Sequence, residues 1–251
     1  MAKPLQGRTA LVTGSTDGIG VGIARALADA GAFVVVSGRS AAKGEKVAAE
    51  IAERGGAAAF VGADLADGGP AVSALADAAQ TAAGGPIDIL VNNAAMLIAP
   101  GPTAEIGEEL IDAALAVNVT SVMLLTGLLA PGMAARGRGA IVNVGSINGL
   151  VGMPGSALYS MTKAAIHSLT KSWAAEYGPA GVRVNTVAPG PTTTERNLAF
   201  ADHIAPIVER APSRRMSTTD EVGRAVVFLA SDHASAIHGA TLSVDGGLSA
   251  V

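Results

Sequence analysis

The chain has 251 residues, a net charge of −4 and no cysteine, and 49% of it is hydrophobic although only 3% is aromatic. The lack of cysteine excludes a disulfide framework, a thiolate metal site and a cysteine nucleophile. The slight acidity gives no electrostatic basis for a nucleic-acid partner, and the apolar content excludes a mostly disordered protein.

Short β-type runs alternate with alanine-rich helical runs along almost the whole chain. The predicted strands are residues 9–13, 32–36, 57–61, 88–91, 140–144, 182–187 and 241–244. The predicted helices are residues 19–30, a helix that ends near residue 54, one around 71–83, a long region from about 103 to 135, then 157–177 and 220–230. Continuous apolar strands separated by helices are typical of a parallel sheet covered on both faces. We therefore predict an α/β fold, a doubly wound parallel sheet of about seven strands, in a single domain spanning residues 1–251.

A stretch without a charged residue runs from residue 113 to residue 135 and has the length of a membrane span. It contains Asn118, Thr126 and Pro131, so we interpret it as a helix buried in a soluble core, with no membrane partner. The N-terminal residues show no apolar segment followed by a small-residue cleavage site. We therefore expect no signal peptide and a cytoplasmic location.

A glycine turn with the spacing G-x-x-x-G-x-G follows the first predicted strand and precedes the first predicted helix. Glycines there allow a tight turn, and backbone N–H groups at the helix N-terminus can face a pyrophosphate. The alternative is a glycine-rich capping loop without a ligand, but the strand before and the helix after favour dinucleotide binding. The predicted cofactor contacts in this turn are Gly14, Ser15, Asp17, Gly18, Ile19 and Gly20.

The residues after the second predicted strand bear on the choice between NADP and NAD. The segment Ser37–Ser40 has no acid to accept hydrogen bonds from a ribose 2′-hydroxyl, and Arg39 offers a guanidinium suited to a 2′-phosphate. The alternatives are that Arg39 stacks on the adenine or is solvated, and Asp17 in the glycine turn weakens the case for NADP. We expect NADP(H) to be favoured, with NAD(H) as the alternative.

Tyr159 and Lys163 are four residues apart on a predicted helix, so both side chains lie on one face. A free tyrosine has a pKa near ~10, and a nearby cation favours the phenolate, which makes the tyrosine a better proton carrier at neutral pH. Ser146 follows the fifth predicted strand, where its hydroxyl would hold a substrate oxygen. A chance pair and an ordinary turn serine are the alternatives, but the three residues together favour a catalytic site.

These motifs, in this order, resemble those of the short-chain dehydrogenase/reductase family, in the form whose length is close to that of this chain. The segments that carry the resemblance are TGSTDGIG (Thr13–Gly20), NNAA (Asn92–Ala95), AVNVT with Asn118, GSING (Gly145–Gly149), YSMTK (Tyr159–Lys163), PGPTTT (Pro189–Thr194) and SVDGG (Ser243–Gly247). The resemblance implies a Rossmann-type sheet and reversible hydride transfer between a nicotinamide cofactor and a small ketone or secondary alcohol.

The resemblance also implies roles for individual residues. Tyr159 would be the general acid/base, Lys163 would hold the nicotinamide ribose and lower the pKa of Tyr159, and Ser146 would orient the substrate oxygen. Asn118 would support a water chain that relays protons to solvent. The remaining implied cofactor contacts are Asp64 and Leu65 at the adenine, Asn92 and Ala94 along the ribose, and Pro189, Gly190, Thr192 and Thr194 at the nicotinamide carboxamide.

Two positions depart from the family pattern. Ala95 stands where the family often has glycine, and Gly145 stands where it often has the first of two serines. Neither departure removes a catalytic group. A non-catalytic nucleotide-binding sensor or scaffold is the alternative function, and the presence of Tyr159, Lys163, Ser146 and Asn118 argues against it.

The substrate is expected to lie under a lid at about residues 191–216. Apolar residues in the lid and in the pocket suggest an apolar substrate body. The lid arginines would either bind a carboxylate or phosphate group of the substrate, or would be solvated. The candidate pocket residues outside the lid are Met96, Leu97, Ile147, Leu150, Val151 and Met153. The four histidines have no ligand-like spacing, so no catalytic metal is expected. The resemblance implies a homotetramer assembled through the long helical region and the helix that carries Tyr159.

Overall fold

The computed structural model describes residues 3–251, apart from the side chain of His203. Its strands are β1 (Thr9–Val12), β2 (Phe33–Gly38), β3 (Ala57–Gly62), β4 (Ile89–Asn92), β5 (Gly139–Val144), β6 (Val182–Pro189), β7 (Thr192–Thr193), β8 (Ser217–Thr218) and β9 (Thr241–Val244). Seven of them form one parallel sheet in the order β3-β2-β1-β4-β5-β6-β9. The direction of winding reverses between β1 and β4, so the predicted doubly wound sheet is confirmed.

Helices cover both faces of this sheet. They are α1 (Gly18–Asp29), α2 (Ala41–Glu53), α3 (Gly69–Ala82), α4 (Glu108–Leu115), α5 (Ser121–Ala135), α6 (Ala157–Tyr177), α7 (Glu195–Ala199), α8 (Ala201–Val208) and α9 (Thr219–Ala230). Successive strand residues point to opposite faces, so Val12 packs with α1 and α9 while Leu11 packs with α3, α5 and α6. This two-sided burial explains why the strands are continuous apolar runs.

The N-termini of α1 and α2 are held at the carboxyl edge of the sheet by side-chain caps. Asp17 accepts the N–H of Gly18 at 2.7 Å, and Ser40 accepts the N–H of Lys43 at 3.4 Å. Each cap satisfies one of the backbone N–H groups that a helix start leaves without a partner. Both helix starts therefore lie at the edge where doubly wound sheets bind their ligands.

The long helical region predicted from about residue 103 to residue 135 is not one regular α-helix. It begins as a short 3₁₀ turn at Thr103–Glu105, continues as α4, passes through a π-helical turn at Ala116–Thr120 and ends as α5. An apolar pattern cannot reveal such a turn, because the extra residue changes the hydrogen bonding and not the composition. The π turn carries Asn118, which it directs into the protein interior.

Residues 108–135 are the one helical stretch, within the part of the chain that the structure describes, with the length and hydropathy of a membrane span. In its most apolar window 44% of the residues are buried. Leu125, Leu129 and Met133 belong to the core beneath the sheet. Met123 and Leu128 are about half exposed on the opposite side. The predicted core helix thus buries one apolar face and leaves a second one uncovered.

Candidate active site

The glycine turn between β1 and α1 is built from backbone packed against backbone. Gly14 and Gly18 have positive φ angles of 62° and 52°, a conformation that favours glycine. A Cβ at Gly14 would lie 2.7 Å from the Cα of Ala94, and one at Gly20 would collide with the carbonyl oxygen of Gly14. The turn therefore admits no side chains at these positions and presents the bare backbone that close approach of a pyrophosphate requires.

Thr13 and Asn93 tie this turn to the segment that follows β4. The Thr13 hydroxyl accepts the N–H groups of Asn93 and Ala94, each at 3.0 Å. The Asn93 side-chain amide donates to the carbonyls of Thr13 and Gly14, each at 2.9 Å. Sequence reasoning did not single out Asn93, although it follows Asn92 directly and lies in the same NNAA motif. These bonds place Ala94, a predicted ribose contact, beside the glycine turn.

The Asn92 side chain points the other way, into the sheet. It is 4% exposed, and its amide donates to the side-chain oxygen of Asn143 at 2.9 Å and to the hydroxyl of Thr126 at 3.3 Å. Asn143 in turn donates to Thr170 at 2.8 Å. A contact between residue 92 and the ribose remains a prediction, and with the side chain committed to the core it would come from the backbone.

Two cations lie at the predicted adenosine end of the site. An Arg39 guanidinium nitrogen is 3.9 Å from an Asp64 carboxylate oxygen, and the Lys43 ammonium is 2.9 Å from a carboxylate oxygen of Asp17. Lys43 lowers the pKa of Asp17, chiefly through this hydrogen bond. Asp64 also accepts the N–H of Ala66 at 3.0 Å, at the start of a short turn that contains Leu65. Sequence reasoning missed Lys43, which supplies a cation at the glycine turn through its contact with Asp17.

Ser146, Tyr159 and Lys163 converge where β5 ends and α6 begins, as their spacing predicts. The Lys163 ammonium donates to the carbonyl oxygen of Val144 at 2.8 Å and lies 5.7 Å from the centre of the Tyr159 ring. Burial lowers the pKa of Lys163 to about 8. The Ser146 hydroxyl lies close enough to Tyr159 to lower the pKa of that tyrosine. This pair of hydroxyls can hold one carbonyl oxygen from two sides.

The expected lowering of the Tyr159 pKa by Lys163 is not found. The surrounding protein raises the pKa of Tyr159 to about 12 by withholding water from the phenolate, and the hydrogen bond with Ser146 and the charge of Arg196 oppose this only in part. Sequence spacing places a cation nearby but does not show how much water the site retains. Tyr159 is therefore protonated at neutral pH, which suits a proton donor.

Asn118 lies beside this group and connects three parts of the chain. Its side-chain oxygen accepts the N–H of Met96 at 2.6 Å, and its amide donates to the Met96 carbonyl at 3.0 Å and to the Thr162 hydroxyl at 3.2 Å. The Thr162 hydroxyl donates to the carbonyl of Tyr159 at 2.8 Å. Asn118 thus joins the π turn, the segment after β4 and the helix that carries Tyr159 and Lys163.

The predicted carboxamide-binding residues form a bend at the end of β6. The N–H of Gly190, which follows Pro189, donates to Val244 at 3.1 Å, and the Thr192 hydroxyl donates to the carbonyl of Gly190 at 3.0 Å. Thr194 caps α7 by accepting the N–H of Asn197 at 3.2 Å. A Cβ on Gly18 would lie 3.6 Å from a methyl carbon of Thr194, so this bend approaches the glycine turn.

The predicted lid contains β7, α7 and α8. β7 pairs with β8 in a short parallel ladder, which joins the two ends of the lid to each other. Arg196, on α7, is exposed and makes no ion pair among the described residues. Its charge nevertheless acts on Tyr159, as the pKa of that tyrosine shows.

A cavity of about 130 Å³ adjoins Tyr159. Most of its lining residues are apolar, and Glu105 and Ser156 are among the polar ones. Apolar side chains that line it are Ile98, Ile106, Leu110 and Leu158. None of the six pocket residues proposed from the sequence is among its lining residues. The segment 98–110 was missed because it meets Tyr159 only through tertiary folding. Among the described residues, no group of three or more His, Asp or Glu side chains is arranged to hold a metal ion.

Comparisons with known proteins cover almost the whole chain. A family model described as enoyl-(acyl carrier protein) reductase matches residues 14–249. A cis-4-hydroxycyclohexanecarboxylate dehydrogenase from Sinomonas cyclohexanicum is 40% identical over 252 residues, covering 100% of each chain. A solved structure described as a short chain dehydrogenase/reductase family protein is 44% identical, with a TM-score of 0.90, covering 99% of this chain and 100% of that one. A gluconate 5-dehydrogenase from Burkholderia cenocepacia, solved with NADP and tartrate, is 36% identical, with a TM-score of 0.92, covering 100% of this chain and 98% of that one.

Proposed function

Because the chain belongs to the short-chain dehydrogenase/reductase family, we propose that Tyr159, Ser146 and Lys163 are its catalytic residues, with Asn118 supporting proton relay. The chain is an NAD(P)-dependent oxidoreductase that acts on CH–OH and C=O groups. The observation that carries the residue assignment is the pair of neighbouring hydroxyls, Ser146 and Tyr159, beside a buried ammonium. Their position at the carboxyl edge of the sheet, where doubly wound folds bind dinucleotides, supports the same reading.

The chain's own residues then have separate tasks in the reduction of a ketone. Ser146 and Tyr159 donate hydrogen bonds to the carbonyl oxygen, and Tyr159 gives up its proton to that oxygen as the alcohol forms. The bound nicotinamide supplies the hydride. The glycine turn fits such a group, because a Cβ at Gly14 or Gly20 would collide with neighbouring backbone. In the oxidation direction, Tyr159 must accept the proton.

Oxidation of NADPH with a panel of carbonyl compounds tests this function, with Tyr159→Phe as the inactive reference. Steady turnover of any panel member supports the enzyme. NADPH binding without turnover of any member supports the non-catalytic sensor or scaffold instead. The panel should pair each ketone with its carboxylate-bearing analogue. The apolar cavity beside Tyr159 supports an apolar substrate body, Arg196 would face a carboxylate, and one relative is named for a hydroxy acid.

NADP(H) is the cofactor that we propose, with NAD(H) as the alternative. The support is Arg39 and Lys43 at the adenosine end and a structural neighbour that holds NADP. The proposed cofactor contacts are Gly14, Ser15, Asp17, Gly18, Ile19, Gly20, Arg39, Asp64, Leu65, Asn92, Ala94, Tyr159, Lys163, Pro189, Gly190, Thr192 and Thr194. Among them, Arg39 carries the preference for a 2′-phosphate.

Replacing Arg39 by Ala is expected to weaken NADPH binding by on the order of 10-fold and to leave NADH binding nearly unchanged. A charge-assisted hydrogen bond contributes about 1.5–3 kcal/mol, and only the 2′-phosphate would lose one. Titration calorimetry of both cofactors measures this. Arg54→Ala is the matched control, because Arg54 is also exposed and paired with an aspartate but lies at the far end of α2. An unchanged preference between the two cofactors in Arg39→Ala would contradict the assignment.

A homotetramer assembled through α5 and α6 is our proposal for the oligomeric state. Its support is the uncovered apolar face of α5, formed by Met123, Leu124 and Leu128, together with the half-exposed Met161 on α6. Light scattering is expected to give four times the mass of one chain. Leu128→Asp should shift the protein to smaller species, because burying a carboxylate in an apolar contact is unfavourable. A wild-type monomer would refute the assembly.

Residues 1–251 are proposed to form a single dinucleotide-binding and catalytic domain, with the lid at about residues 191–216. We further propose a soluble, cytoplasmic protein whose partner is a small-molecule ketone or alcohol. Relatives that match along their whole length support a single unit.

A further inference from the structure

The imidazole of His167 lies against the backbone that carries Ser146. His167 is on α6, one turn beyond Lys163, and its side chain is 6% exposed. Its Nε2 accepts the backbone N–H of Ser146 at 3.4 Å. Burial, reinforced by the charges of Lys163 and Lys171, lowers the pKa of His167 to about 4. The ring is therefore neutral at physiological pH, and since Nε2 accepts, the proton is assigned to Nδ1, which is buried and has no hydrogen-bond partner among the described residues.

Gly145 leaves the space that this imidazole fills. A Cβ at position 145 would collide with Nε2 of His167 and would lie 2.7 Å from its Cδ2. It would also lie 2.8 Å from a methyl carbon of Thr186. Gly145 is not among the glycines with a positive φ, so space and not backbone conformation is what requires glycine here. Any side chain at position 145 would compete with the ring for the same volume.

Three successive residues at the end of β5 are each anchored by a different group. Val144 accepts from the Lys163 ammonium at 2.8 Å, Gly145 donates to Val187 at 2.8 Å, and Ser146 donates to His167. Two of these anchors come from α6, the helix that also carries Tyr159. The backbone that carries the Ser146 hydroxyl is thus tied to the helix that carries Tyr159.

We propose that His167 is a positioning residue of the active site, which holds the amide of Ser146 so that its hydroxyl meets Tyr159 and the substrate oxygen. Glycine at position 145 complements His167, because the absence of a side chain there leaves room for the imidazole ring. His167 touches neither substrate nor cofactor in this arrangement and acts only through Ser146. The inference rests on the proposed role of Ser146.

Two substitutions of similar shape separate the hydrogen bond from the packing. Gln at position 167 can accept the Ser146 N–H through its side-chain oxygen, whereas Met fills a similar volume without a comparable acceptor. We expect His167→Met to lower kcat about 10-fold, since small misplacements of catalytic groups are costly, with the KM for NADPH unchanged. His167→Gln should keep most of the wild-type kcat. Equal losses in both variants would overturn the proposal.

The same substitutions in a Ser146→Ala background test whether His167 acts through Ser146. We expect His167→Met to have almost no further effect on kcat there, because no hydroxyl remains to be positioned. A histidine with a merely structural role would lower kcat by the same factor in both backgrounds, and this would overturn the inference alone. Full activity of Ser146→Ala by itself would instead overturn the proposed role of Ser146. Melting temperatures of all variants identify any loss that comes from unfolding.

The steric part is tested by Gly145→Ala, alone and combined with His167→Ala. The single variant should lose most of its kcat, because the new methyl group displaces the ring. The double variant should recover part of that loss, up to the kcat of His167→Ala alone, because the methyl group then meets only the methyl carbon of Thr186. No recovery in a double variant that melts above the assay temperature would overturn the claim that glycine admits the imidazole.

Discussion

Replacing Tyr159 by Phe is expected to reduce kcat for ketone reduction by on the order of 10²–10⁴-fold, the usual contribution of a positioned acid. The substitution removes one hydroxyl and keeps the ring that packs beside Lys163. Because burial raises the pKa of Tyr159 to about 12, the hydroxyl carries its proton throughout the neutral range and is available as a donor. Steady-state reduction of a reactive ketone at saturating NADPH measures the loss.

The control for this variant is Tyr177→Phe, since Tyr177 is the only other tyrosine of the chain. It lies at the end of the same helix, away from Ser146, and its loss should leave kcat unchanged. The Kd of Tyr159→Phe for NADPH should stay close to the wild-type value. Near-normal turnover in Tyr159→Phe would show that another group donates the proton, and the proposed mechanism would fail.

The sheet, and the meeting of the proposed catalytic residues, were accessible from the sequence because their signals are local. A strand buried on both faces is a continuous apolar run, and the spacing of Tyr159 and Lys163 fixes both side chains to one helix face. The glycine turn is also local, since Gly14 and Gly20 lie in one loop between a strand and a helix. In each case the residues that determine the structure are neighbours in the chain.

The remaining features depend on contacts between residues far apart in the chain. Asn93 faces the glycine turn and Asn92 faces the core, although the two residues are adjacent in the chain. Their opposite orientations depend on how the chain leaves the sheet at the end of β4. Lys43 becomes a cation at the glycine turn because α2 brings it to Asp17. The raised pKa of Tyr159 reflects how much water the folded site excludes. None of these follows from residue spacing, since each requires the packing of separate elements.

Replacing Lys163 by Met is expected to lower kcat/KM for ketone reduction by on the order of 10²-fold, as loss of one preorganised charged donor does elsewhere. The ammonium holds the Val144 carbonyl at 2.8 Å, next to the backbone of Ser146, and lies 5.7 Å from the Tyr159 ring. Met keeps the length of the side chain without the charge. Lys171→Met, two turns further along the same helix and exposed, is the matched control and should behave as wild type.

The pH profile gives this variant a second readout. Burial lowers the pKa of Lys163 to about 8, so the ammonium carries its charge below that pH and loses it as the pH rises through it. Tyr159, with a pKa of about 12, stays protonated over the same interval and cannot cause the change. Wild-type kcat/KM for reduction should therefore fall as the pH rises through about 8, and Lys163→Met should be uniformly slow without this limb. A limb that persists in Lys163→Met would assign the titration to another group and remove Lys163 from the proposed mechanism.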